Sequence, residues 1–229
     1  MKSLYILSAI VCIPVVASSQ PISQVKYFEG IIEYDLTSKS YMQGVSDNEI
    51  RERVGSRIRF YFKDGNYMRE YIDGAGFTIR KLFYRKDKNM MYDYNPILAP
   101  DTLYYISAGN DSISSFKIQP GQNTKVLDCE CPSSVITTTY MDSFLQDSVI
   151  STLTYFFCPA LPVNPEWHKD IYIWNEVIKT HKSIAIKFIE ENPLYYQQTS
   201  TATAILWQSI DPAVLNIDPA LILRPMPRF

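Results

Sequence analysis

The stretch "RIRFYFKDGNYMREYI", Arg57 to Ile72, decides the fold class. Apolar and polar residues alternate on both sides of Asp64-Gly65, and an Asp-Gly pair between alternating runs is the strongest short hairpin signal in a sequence. The same pattern extends outward. Upstream, "FEGIIEYDL" puts Phe28, Gly30, Ile32 and Tyr34 on one face and Glu29, Ile31, Glu33 and Asp35 on the other, a half-buried strand. Downstream, "FTIRKLFYRKDKNMMYDYN" pairs through a turn at Asp87 to Asn89. Further strands are expected at Leu103 to Ser107, Ser115 to Gln119, Thr124 to Cys131, Ser134 to Tyr140 and Val149 to Cys158, and two more between Ser183 and Ile210, separated by Asn192-Pro193.

Helix signals are few. Ser46 caps a short helix through Arg53, and Asn164-Pro165-Glu166 reads as a capped start that runs to about Ile171. The tail from Asp211, with Pro212, Pro219, Pro225 and Pro227, cannot join a central strand and should wrap the outside. Consecutive hairpins make an antiparallel meander the economical topology. The expected fold is therefore mainly β: an antiparallel, strongly curved sheet or incomplete β-barrel with one or two short helices.

Aromatic doublets such as Phe83-Tyr84, Tyr104-Tyr105 and Tyr195-Tyr196 place bulk on both faces of a sheet, because neighbours on a strand point opposite ways. A curved sheet accommodates this. Most of these rings read as ordinary core and cross-strand pairs, and some as the lining of a pocket for an apolar ligand.

The chain opens "MKSLYILSAIVCIPVVASSQP", a secretory signal peptide over residues 1–19. Its apolar run of about 13 residues is shorter than the roughly 20 that span a bilayer, so no transmembrane segment is expected after cleavage. The remainder, 20–229, reads as a single β-rich half-barrel domain with an extended tail over about 211–229. Of the 22 basic and 24 acidic residues, cleavage removes only Lys2, leaving a net charge of about −3 with no basic cluster, which argues against nucleic acid.

No nucleophile elbow, zinc-protease motif, Walker sequence or dinucleotide turn occurs, so no catalytic residue, cofactor or metal is assigned. "PEWHKD" sets Glu166, His168 and Asp170 at alternate positions. They would share a face on a strand and splay apart on the helix that Pro165 favours. His181 lies among polar residues and reads as solvated. Glu190-Glu191 and Asp128/Glu130 read as surface carboxylates rather than a glycosidase dyad. Asn110 to Ser112 matches a glycosylation acceptor pattern.

Three of the four cysteines follow the signal: Cys129, Cys131 and Cys158. In "VLDCECPSS" the alternation turns both thiols of the pair toward the core, too far apart for easy bonding to each other, so Cys158 is the natural partner. The hairpin register places Cys131 opposite Cys158. The leading expectation is a Cys131–Cys158 bridge with Cys129 as a buried spare, against reduced thiols, an intermolecular bond, or metal or redox work.

Several of these stretches together, "FEGIIEY", "YFKDGNYMREY", "KNMMY", "LPVNP" and "TATAI", resemble a group of exported Bacteroidetes proteins that includes the GLPGLI family. That group looks like a relative of the outer-membrane lipoprotein carriers (LolA/LolB-like). The resemblance implies an unclosed antiparallel half-barrel, capped by helices around an apolar cavity, in an exported protein, periplasmic or extracellular.

The functional expectation is a noncatalytic protein that binds an apolar small molecule or lipid. The alternative is an envelope protein-interaction module that uses a sheet edge or the convex face. A hydrolase, with His168 as its base, is the third reading.

Overall fold

The structure, a computed structural model, describes residues 25–109, 115–142 and 147–226. The signal peptide expected over residues 1–19, with Cys12, and the Asn110 to Ser112 pattern lie outside the described residues.

The protein is mainly β. Strands β1 (Gly30–Ser40), β2 (Arg57–Lys63), β3 (Asn66–Ile72), β4 (Thr78–Arg85), β5 (Met90–Tyr94) and β6 (Thr102–Ser107) form one antiparallel meander. A second contains β10 (Ser133–Asp142), β11 (Asp147–Pro162), β12 (Ser183–Asn192) and β13 (Tyr196–Trp207), and β13 pairs with β1 to join the two. Two features depart from a simple meander. Strand β7 (Ser115–Pro120) leaves its sequence neighbour β6 and pairs with β10 at the opposite edge. The tail strand β14 (Ile222–Pro225) pairs parallel with β6, so the twelve-stranded sheet is mixed at that edge rather than wholly antiparallel. Pro225 suits β14 to the edge, because an interior strand must donate on both sides.

The Asp-Gly turn behaves as its sequence predicts. Asp64 and Gly65 have φ of 50° and 83°, the two positive values of a two-residue hairpin turn that matches strand twist. Helix α1 (Asp47–Val54) starts at Ser46, whose hydroxyl accepts from Glu49 N while the Glu49 carboxylate accepts from Ser46 N, a reciprocal capping box.

Curvature follows from one contact. Strands β3 and β12 are four places apart, about 19 Å in a flat sheet. The Arg69 guanidinium of β3 nevertheless lies 5.3 Å from the ring of Phe188 on β12. The sheet must bend to bring them together.

Alternation then sorts the side chains. Ile58, Phe60 and Phe62 of β2 join the principal core inside the curve with Ile186 and Phe188. Met68 and Phe83 point the other way and join Tyr92 and Leu103 beneath Ile210 and Leu215 of the tail. The convex face thus carries a second, smaller core whose cover is the tail.

The disulfide corrects the expected pairing: Cys129, not Cys131, bonds Cys158, with Cα atoms 5.9 Å apart. The β10–β11 register is close to the one expected, with Ser133 opposite Phe156. What fails is the assumption that Thr124 to Cys131 forms one strand. Leu127, at φ 51°, and Asp128 make a tight turn that folds β8 (Thr124–Val126) onto β9 (Cys129–Cys131). The β10–β11 ladder itself ends at Ser133, short of Cys131, and Cys129 is the thiol that reaches Cys158. Cys131 is the fully buried, unbridged thiol.

Candidate functional site

The site forms where the β11–β12 connection folds over the inside of the curve. Leu161 and Val163 are buried, and Val163 N donates to Lys182 O, which closes the base of the connection. Asn164 accepts from Glu166 N at 3.0 Å and Pro165 opens a single 3-10 turn, Pro165–His168, shorter than the helix expected to reach Ile171. The chain then reverses at Ile173, with φ 61° and ψ −52°, and Trp174 N donates to Tyr172 O at 2.6 Å. This is a γ-turn centred on a β-branched residue, a conformation that costs about 1 to 3 kcal/mol.

Helix α2 (Trp174–His181) follows. Sequence reading missed it, although Trp174, Val177, Ile178 and His181 fall at the i, i+3, i+4, i+7 spacing of an amphipathic helix. One uncapped helix of eight residues gives a weak signal, and its start is a strained turn rather than a capping residue.

This cap is tied to both ends of the sheet. Tyr172 N donates to Ala108 O just beyond β6, Asn89 Nδ2 donates to Asp170 O at 3.0 Å, and the Tyr172 ring meets Phe116 of β7 edge-on at 5.1 Å. It also rests on the β2–β3 hairpin. A Cβ at Gly65 would lie 2.6 Å from Trp167 Cβ, so only glycine permits that approach.

Between cap and sheet lies a cavity of about 60 Å³. Phe60, Tyr67, Arg69 and Phe188 form part of its floor, and Ile171, Trp174 and Ile178 come from the cap. Its surface is mostly carbon, with one cation. Arg69 lies over the rings of Phe60, Tyr67 and Phe188 at 5.3 to 5.8 Å. Nearby Arg80 offers a contrast, holding Asp93 through two hydrogen bonds of 2.9 and 2.6 Å. Burial raises the pKa of the Tyr34, Tyr67 and Tyr155 hydroxyls, against the opposing pull of the Arg69 charge. They remain protonated donors at neutral pH.

His168 also lines the cavity, buried against Phe62 and Tyr84 with ring centroids 6.1 and 5.7 Å away. Burial pushes its pKa down to about 4, partly opposed by a hydrogen bond to the Gly65 backbone, and Nδ1 has no partner among the described residues. Glu166 and Asp170 point outward to solvent, so "PEWHKD" does not assemble a carboxylate-oriented base or a ligand set. His181 is half-buried rather than solvated: its Nε2 is 2.8 Å from Ser134 Oγ and its ring stacks on Phe157 at 4.0 Å.

The carboxylates considered as a dyad are engaged elsewhere. Glu190 accepts from the Tyr196 hydroxyl and Glu191 from that of Tyr41, and as neighbours on β12 they face opposite sides of the sheet. Asp128 and Glu130 are exposed on the β8–β9 ribbon. Among the described residues, no three His, Cys, Asp or Glu side chains are grouped to hold a metal ion. The sequence carries Arg69 inside the deciding hairpin, but no local pattern marks it as a residue of the cavity.

No protein-family model matches the chain, and neither does any curated protein sequence.

Proposed function

We propose that the protein is an exported, noncatalytic binding protein that takes an apolar ligand into the concave face of its sheet, with the β11–β12 cap as the door. The observation that carries this reading is the apolar cavity beneath a cap held by a strained turn. At about 60 Å³ the cavity has room for roughly two waters, so an acyl chain enters only when the cap moves outward. Strain stored at Ile173 lowers the cost of that movement, because a conformation already 1 to 3 kcal/mol uphill loses less on release.

Export is supported by the Cys129–Cys158 bridge, which suits an oxidising compartment. No helix among the described residues is long and apolar enough to cross a membrane. A protein partner is the second reading: the tail covers part of the convex face and β14 covers β6, whereas β7 pairs on one side only among the described residues.

Uptake of N-phenyl-1-naphthylamine, a neutral apolar fluorophore, tests the cavity. The expected result is one-to-one enhancement, lost in Ala185→Phe, which fills the cavity, while circular dichroism stays unchanged. Absence of enhancement, or full enhancement by a folded Ala185→Phe protein, would overturn the reading. Native mass spectrometry of protein from its own host then reports whether a lipid travels with it.

A further inference from the structure

The cavity contains one feature that a purely apolar ligand does not explain. Arg69 is a permanent cation. It sits on the inner face of β3 between Phe60 of β2 and Leu82 of β4, and no carboxylate of the described residues pairs with it. Three aromatic faces surround its guanidinium. Such faces compensate a cation only in part, and they leave its N–H fork without acceptors. No hydrogen bond from the Arg69 guanidinium to any described residue is present, although its backbone takes part in the sheet ladder. The Tyr67 and Tyr155 hydroxyls, on the same cavity wall, are likewise without a hydrogen-bond partner among the described residues, whereas Tyr34 donates to Ala185 O at 2.8 Å.

Resting on the apolar-ligand reading above, we propose that Arg69 is a head-group site: it receives the carboxylate of a single-chain amphiphile, with the Tyr67 and Tyr155 hydroxyls as further donors. The fork of a guanidinium matches the two oxygens of a carboxylate. One positive charge balances a monoanion. A phosphate monoester would call for a second cation, and Arg80, on the neighbouring strand β4, is already committed to Asp93. The cavity, about 60 Å³, is of the size of such a head group and not of its chain. The head therefore seats at Arg69 while the alkyl chain extends along the aromatic floor beneath a displaced cap.

Displacement of bound N-phenyl-1-naphthylamine by dodecanoic acid, 1-dodecanol and dodecyl phosphate tests this with the whole protein. The wild type should bind the acid about tenfold or more tightly than the alcohol, as charge-assisted hydrogen bonds require. Arg69→Met should reduce the acid to the affinity of the alcohol, a loss about tenfold greater than any change in the alcohol, with Tyr67→Phe and Tyr155→Phe each weakening the acid more than the alcohol. Equal binding of acid and alcohol by the wild type, a comparison that needs no variant, overturns the proposal while the cavity reading stands. Equal loss of both in Arg69→Met, or phosphate binding more tightly than carboxylate, overturns it as well. If the probe binds and neither amphiphile displaces it, the carboxylate site is refuted; if the probe itself does not bind, the cavity reading fails and takes this inference with it.

Discussion

His168 shows how one side chain acquires a role the sequence cannot assign. In "PEWHKD" it resembles a poised base; in the structure it is a neutral ring packed between Phe62 and Tyr84 beneath the cap. Its pKa in the folded protein is about 4, below the ordinary 6.5, so on acidification the unfolded chain takes up a proton that the folded one refuses. Stability is therefore highest above pH 6.5 and falls as the pH drops toward 4, by roughly 3 kcal/mol when the shift is converted at 1.36 kcal/mol per unit. Urea unfolding between pH 7.5 and 4 should show this fall, and His168→Phe should remove most of it. An unchanged pH profile in that variant would place the sensitivity elsewhere. His181, also lowered by burial, contributes in the same direction and accounts for a residual slope. The cysteines teach the same lesson. Alternation turned both thiols of the CxC pair toward the core, but the β10–β11 ladder ends at Ser133, and it is Cys129 that meets Cys158.

Among the elements, the β2–β3 hairpin was the most legible, because an Asp-Gly turn and period-2 alternation are local properties. Its second function was not. Gly65 supplies a positive φ to the turn and also the bare surface against which Trp167 rests, so it fixes the hairpin and the cap together. Gly65→Ala meets both penalties. The φ of 83° disfavours any Cβ by about 1 to 2 kcal/mol, and the clash with Trp167 must push the cap outward. The expected outcome is a thermal midpoint lowered by several degrees and faster amide exchange across 165–181 than across the β1–β13 ladder. Uniform exchange with no local increase would show that hairpin and cap are not coupled. Helix α2 was overlooked for a complementary reason: its spacing is present in the sequence, but its start lies in a γ-turn held by packing, and no capping residue announces it.

At the scale of the whole molecule, two apolar cores lie on opposite faces of one sheet, and the tail covers the smaller. Removing residues 209–229 would strip Ile210 and Leu215 from Met68, Phe83, Tyr92 and Leu103, all buried in the intact protein. A contiguous apolar patch of that kind promotes self-association. The truncated protein should sediment as oligomers, and the gentler Leu215→Ala should cost about 2 kcal/mol or more while leaving probe uptake by the cavity intact. A monomeric, equally stable truncated protein would mean that the tail is ornament rather than cover. By itself, the sequence determined most of the strands, the Asp64-Gly65 turn, the capped start of α1 and the apolar side of the β1 to β3 strands, because φ preferences, capping and alternation act over a few residues. Tertiary structure alone decided the β7 crossover, the parallel β14 edge, the Cys129–Cys158 bridge, and the meeting of Arg69 with Phe188 across three intervening strands. Each of these depends on how far the sheet bends or where a distant segment comes to rest, and no short window of residues carries that information.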